Sequence, residues 1–230
     1  MQDRRYNAEM EEILNQLEQT GRLPSLCNEK NEEPSHFASG KPSLLLHSCC
    51  GPCSSAVLER LIPYFSVTVF FYNPNILPAE EYEKRLSEQR RLLREMGGIP
   101  LLEGTYEPQR FLSIAQGFEH EPEGGARCER CFALRMEETA RICKKEGYDL
   151  FTTTLTVSPH KNARQVNTAV EQAAKAAGVA ALPADFKKRG GYLRSLTLSR
   201  EHGLYRQSFC GCPFSMAKTT HTVFTSSEGV

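Results

Sequence analysis

Tryptophan is absent from this 230-residue chain, and neither charge sign predominates, with 28 Lys+Arg against 28 Asp+Glu. Zero net charge removes the simplest case for a polyanionic partner and makes the distribution of charge the informative quantity. No apolar run approaches the roughly 18 residues that a membrane-spanning helix needs, and Met1-Gln2-Asp3-Arg4-Arg5 leads into a polar helical pattern with no apolar signal core. A cytoplasmic protein with no membrane partner is therefore expected. The Cys-x-x-x-Cys-x-x-Cys run of radical-forming iron–sulfur enzymes is missing as well.

What the chain does have is cysteine, nine in all. The stretch Leu44-Leu45-Leu46-His47-Ser48-Cys49-Cys50-Gly51-Pro52-Cys53 reads as a buried strand running into a thiol-bearing turn. Two further groups lie far downstream, Cys128-Glu129-Arg130-Cys131 and Cys210-Gly211-Cys212. Tight pairs of this kind in an intracellular chain point to metal or redox chemistry rather than to structural disulfides. Charge is also segregated. Residues 1–126 hold 12 Lys+Arg against 19 Asp+Glu, whereas residues 160–218 hold 10 against 3, and a basic C-terminal half fits an anionic partner.

Hydrophobic and charged residues at 40% and 24% describe a globular chain. Asn7 can cap an amphipathic helix with Met10, Ile13, Leu14 and Leu17 at helical spacing, ending near Gly21. Residues 22–42, rich in proline and serine, read as a linker in which Cys27 is an exposed thiol. From Ser43 onward the pattern alternates. Strands are expected at Leu44–His47, Val67–Tyr72, Ile99–Leu102, Leu150–Val157 and Val179–Leu182. Helices are expected at Ser54–Tyr64, Pro78–Met96, Pro108–Gln116, from the Cys128 pair to near Gly147, Asn162–Ala177 and Tyr192–His202. Alternation of this kind predicts an α/β fold, a three-layer, doubly wound and mostly parallel sheet with an N-terminal helix. The chain divides into residues 1–42 (helix and linker), 43–218 (catalytic domain) and 219–230 (tail). In such folds ligands gather at the carboxyl ends of the strands, where the turn after the first strand carries Cys49, Cys50 and Cys53.

Cys128 and Cys131, three apart on a helix, share a face, and Cys210 and Cys212 share one across a flexible glycine. Cys50-Gly51-Pro52-Cys53 also matches the thioredoxin redox motif. Against that reading stand the extra Cys49, the missing tryptophan and four surplus paired thiols. Seven grouped thiols exceed the four ligands of a tetrahedral zinc and suit an iron–sulfur cluster with four ligands beside a second metal with three. A zinc-only RNA-binding protein and a thioredoxin-like thiol-disulfide oxidoreductase are the alternative functions. His47, on an apolar strand, reads as a core histidine, and Cys143 as a packing thiol.

The chain resembles the QueH-type epoxyqueuosine reductases. The matching segments are LLLHSCCGPCSS (44–55), YNPNI (72–76), Glu81-Tyr82 with Arg85 and Glu88-Gln89, EPEGGARCERC (121–131) with Leu134-Arg135, TTLTVSPHK (153–161), DFKKRGGY (185–192) and LYRQSFCGCPFS (204–215). The family commonly has alanine where Gly51 stands, and residues 22–42 lie outside its pattern. The resemblance implies a HUP-like fold that binds queuosine-pathway tRNAs at the anticodon loop and reduces epoxyqueuosine to queuosine at the wobble position without cobalamin. It also implies a [4Fe-4S] cluster with an adjacent mononuclear iron, held by Cys49, Cys50, Cys53, Cys128, Cys131, Cys210 and Cys212. The division of ligands between the two, and the electron donor, stay open. Turning an epoxide into an alkene takes two electrons, two protons and a Lewis acid. Asp185, His160 and Tyr192 are the candidate proton donors. Lys187, Lys188, Arg189, Arg194 and Arg206 are candidate phosphate contacts, with Tyr205 or Tyr72 to stack on a base, and Arg127 is placed to stabilise an anionic cluster.

Overall fold

The computed structural model describes residues 6–24 and 40–215. Cys27, most of the 22–42 linker and the 219–230 tail lie outside the described residues. Strand β1 (Ser43–Ser48) is apolar on both faces, and Leu44, Leu45 and Leu46 are each fully buried. A strand covered on both sides belongs at the centre of a parallel sheet. It pairs in parallel with β2 (Ser66–Phe71) on one side and β4 (Leu150–Thr153) on the other. β3 (Leu101–Glu103) and β5 (Ala180–Ala181) complete the order β3-β2-β1-β4-β5. Every pairing is parallel, so the sheet is wholly rather than mostly parallel.

Side-chain alternation divides the core into two layers. Leu44 and Leu46 face a cluster containing Leu58 and Leu61 of α2 (Gly51–Leu61), Leu93 of α3 (Ala79–Glu95), and Met10, Ile13, Leu14 and Leu17 of α1 (Tyr6–Thr20). Leu45 and Phe151 face Phe132, Met136 and Ala140 of α5 (Ala126–Glu146) and Val166 and Val170 of α6 (Ala163–Ala177). Cys143 lies in this second cluster, fully buried, as a packing thiol. Two short helices, α4 (Pro108–Ala115) and α7 (Gly191–Glu201), complete the three layers. Gly147 and Gly178, at φ 73° and 67°, end α5 and α6 in the left-handed conformation that glycine adopts without a Cβ penalty.

Two boundaries differ from expectation where the thiols lie. α2 starts at Gly51, not Ser54, because Pro52 in the first turn needs no N–H partner and Cys50 takes the N-cap position. The Thr-rich strand stops at Thr153. There the Thr153 hydroxyl accepts the Leu155 N–H at 3.2 Å and diverts the chain into a 3₁₀ turn over Thr154–Val157. After β3 the chain crosses to the far side of β1 to form β4, so the strand order reverses between β1 and β4. Shortening Leu46, fully buried beneath this crevice, to alanine should lower the unfolding free energy by about 2–5 kcal/mol in denaturant titration.

Candidate metal centre

Hydrogen bonds rivet the turn after β1. Ser48 Oγ donates to Gln89 Oε1 at 2.8 Å and lies 2.5 Å from Ser54 Oγ, while Asn73 Nδ2 donates to the Ser48 carbonyl at 2.9 Å. The backbone at Cys50 is extended and α2 follows at once, which brings the sulfurs of Cys49, Cys50 and Cys53 all within 4.8 Å of one another. The positive end of α2 therefore points into a knot of three thiols. A Cβ added at Gly51 would meet nothing closer than 3.6 Å, so alanine fits there equally well.

The second pair enters on the first turns of α5. Cys128 Sγ accepts the Gly124 N–H at 3.2 Å. Arg127, only 2% exposed, donates through one nitrogen to the carbonyls of Phe118, Glu119 and Glu121 at 2.8–2.9 Å. It braces the loop ahead of the cysteines, and its guanidinium also stacks 4.9 Å from the Phe214 ring. The third pair sits on a turn that only glycine permits. Gly211 has φ 100°, and a Cβ there would come within 2.9 Å of Ile76. Arg85, anchored to Glu81 at 2.6 Å, donates to the carbonyls of Phe209 and Cys210 at 3.2 and 3.1 Å, and the Leu77 N–H meets the Gly211 carbonyl at 2.9 Å.

These segments close around one cavity of about 370 Å³, lined by Cys49, Cys53, Cys128, Cys131, Cys210 and Cys212. Cys50, 1% exposed, stands behind the first two. All are free thiols. Their acidities diverge. Hydrogen bonds from Cys50 and Cys53 pull Cys49 well below the usual thiol range, and one from Cys212 brings Cys210 down to about 5. The partners move the opposite way. Cys50 is pushed up to about 11 and Cys53 and Cys212 well above the thiol range by the sulfurs they serve, while burial takes Cys131 up to about 11 and raises Cys128. A buried thiol set that resists full ionisation without a compensating cation fits a polyvalent metal, because thiolates are the ligand form. It does not fit a thioredoxin-like exchanger, whose leading cysteine must be exposed, whereas Cys50 is 1% exposed.

The comparison with known proteins decides the family. Residues 44–218 match the family described as epoxyqueuosine reductase QueH. The chain belongs to that family. Over 185 residues it is 39% identical to the epoxyqueuosine reductase QueH of Staphylococcus epidermidis, covering 77% of this chain and 78% of that protein. It is similarly 39% identical to the Streptococcus pyogenes protein of that name (77% and 71% covered) and 34% identical to the Thermotoga maritima one (76% and 90%). The matched span contains all seven grouped cysteines and leaves α1 outside it.

Within this QueH-type site, His160 and Tyr192 line the cavity, and Asp185 does not. Asp185 is buried and pairs with Lys187 at 2.8 Å. Arg206 lies on the cavity wall and Lys188 is exposed. Arg189 pairs with Glu11 of α1, and Arg194 with Glu59 and Glu201. Tyr205 donates to Glu81, and Lys84 sits 3.5 Å above its ring. Tyr72 is 1% exposed and stacked on Phe70, so its ring is core and not a base platform. Three wall residues escaped sequence reasoning: Lys161, Arg135 and Gln207. Gln207 Nε2 donates to Cys50 Sγ at 3.1 Å, and Arg135 donates to Asn73 Oδ1 at 2.6 Å and to His47 Nε2 at 3.3 Å. Lys161 and Arg135 both lie within the quoted motifs, yet a basic residue in a motif reads equally as surface until the fold turns it inward.

His47 is the core histidine that its strand suggests, with Nδ1 2.8 Å from Thr153 Oγ1 and Nε2 3.1 Å from the Tyr72 carbonyl. Burial, aided by Arg135, lowers its pKa from 6.5 to about 3. The unfolded chain therefore binds a proton between pH 6.5 and 3 that the folded chain refuses, and stability falls as pH drops through that window. Between pH 6.5 and 5, above most carboxylate titration, stability of the metal-free protein should decline by up to about 1.4 kcal/mol per pH unit. The His47→Gln variant should lose that component of the slope in urea titrations.

Proposed function

We propose that this protein reduces epoxyqueuosine to queuosine at the wobble position of tRNA, using iron held by the seven thiols. The observation that carries this reading is that three cysteine groups, separated by up to about 160 residues in sequence, line one cavity at the strand-order switch of a QueH-family chain. Cys49, Cys50, Cys53, Cys128, Cys131, Cys210 and Cys212 would hold the group, a [4Fe-4S] cluster with an adjacent iron. When bound, such a group supplies electrons and an open Lewis-acid position for the epoxide oxygen.

The chain's own residues shape what surrounds it. Phe111, Phe132, Leu155 and Val157 line the cavity with apolar surface that limits water near the reacting ring. His160 and Tyr192 stand at the wall as candidate proton carriers. Asp185 acts instead through the loop it shares with Lys187. A splayed wobble nucleotide can enter because anticodon-loop bases are single-stranded. Arg206 at the wall and exposed Lys188 are the cations best placed for phosphate, since Lys187, Arg189 and Arg194 already face carboxylates. A cytoplasmic location and an external electron donor follow from that substrate and reaction. Among the described residues no helix is long and apolar enough to cross a membrane.

Anaerobically purified protein should be brown, with iron and acid-labile sulfide. Zinc without sulfide, or no metal at all, would sink the reading. Replacing Cys210 by serine should cut reduction more than ~100-fold, beyond what outer-shell changes usually cost, while tRNA affinity holds. Removing Lys188 and Arg206 together should weaken tRNA binding and flatten the dependence of log affinity on log salt by about 2. Arg194→Ala should leave that slope unchanged.

A further inference from the structure

Four guanidiniums line the thiol cavity, and hydrogen bonds within the fold use each of them, Arg206 donating to Ser199 Oγ at 3.1 Å. Arg85 is held by Glu81 and two carbonyls, Arg127 by three carbonyls, and Arg135 by Asn73 and His47. Lys161 differs. It lines the same cavity and is half-buried, yet among the described residues no carboxylate pairs with its ammonium and no hydrogen bond uses its Nζ. Burial works against its charge, but Cys49 and Cys210 across the same cavity favour it, and on balance its pKa is raised. A desolvated cation is costly unless an opposite charge answers it. Here the answering groups are sulfurs.

The backbone that carries Lys161 is staked with equal care. β4 has given way to the 3₁₀ turn, the Lys161 N–H closes onto the Ser158 carbonyl at 3.3 Å, and Asn162 caps α6 through the Arg164 N–H at 2.9 Å. From the other side comes Lys187. Its Nζ, paired with Asp185, reaches the Lys161 carbonyl at 3.3 Å and the Thr156 carbonyl at 3.4 Å. One buried-edge ion pair thus ties down both limbs of the loop that brings Lys161 to the cavity wall.

We propose that Lys161 supplies the compensating positive charge for the anionic group held in the thiol pocket, and that the Asp185–Lys187 pair positions it. The proposal rests on the iron reading above. A fixed cation beside a cysteine-ligated cluster favours the state with the extra electron, so it acts on reduction potential rather than on assembly. Lys161 and Lys187 thereby acquire a role distinct from tRNA contact.

The test compares anaerobically reconstituted wild-type protein with Lys161→Met, Lys161→Arg and Lys187→Met by iron and sulfide content, absorption spectrum and spectroelectrochemical midpoint potential. Lys161→Met should keep its iron and sulfide but disfavour the reduced state about tenfold, a fall of about 59 mV for one electron. Lys161→Arg should restore most of the loss, and Lys187→Met should shift the potential the same way by less. An unmoved potential in Lys161→Met with full iron and sulfide overturns the role of Lys161 and leaves the iron reading standing. An unmoved potential in Lys187→Met overturns the bracket. Wild-type protein that takes up no iron overturns both the iron reading and the proposal. Should Lys161→Met fail to fold, Lys161→Gln serves the same comparison.

Discussion

Seven thiols drawn to one wall of a protein cannot all ionise together, and much else in this structure follows from that. Two of them, Cys49 and Cys210, are held acidic by hydrogen bonds from neighbouring sulfurs, and those neighbours become correspondingly reluctant to lose their protons. Like charges in a desolvated pocket force this split. Only added positive charge can release all of them, and a polyvalent metal is the species that thiolates favour. The surrounding protein holds the sulfurs in place.

The holding is done largely by backbone carbonyls and buried guanidiniums. Arg85 grips the turn that carries Cys210, Arg127 the loop ahead of Cys128, and Arg135 the asparagine and histidine beside β1. Each guanidinium is rigid and planar, and its fork of donors suits bridging several acceptors at fixed spacing. A lysine in the same positions could not do this. Where the fold uses a lysine at the wall, at position 161, no carboxylate or hydrogen bond among the described residues bridges the ammonium.

The architecture explains why the site is here. A wholly parallel sheet points every strand's carboxyl end to one edge, and the order reversal between β1 and β4 opens a crevice at that edge. The turn after β1 delivers three thiols, the 3₁₀ turn after β4 delivers Leu155 and Val157 as apolar floor, and the loop that follows it delivers Lys161. α5 and the 210–212 turn close the sides. Among the described residues, α1 adds its apolar face to the opposite layer and lies outside the span shared with the QueH relatives.

The alternating strands and helices, the buried β1, the three cysteine groups and the acidic and basic halves were all legible in the chain, because each depends on local periodicity, spacing or composition. The metal-type reading and the family resemblance needed nothing more. The end of β4, the start of α2, the burial of Tyr72 and the pairing of Asp185 with Lys187 were not legible. These depend on which groups meet across the sheet, and an aspartate or a tyrosine in a motif looks the same whether it faces a substrate or a neighbouring loop. The thiols themselves illustrate the division. Sequence alone determined that seven cysteines come in three metal-type groups; the tertiary structure decided that the three groups meet at one cavity, six of the sulfurs lining it with Cys50 behind, and which cations stand beside them. Convergence over so many residues is a property of strand order and loop closure, which no local pattern encodes.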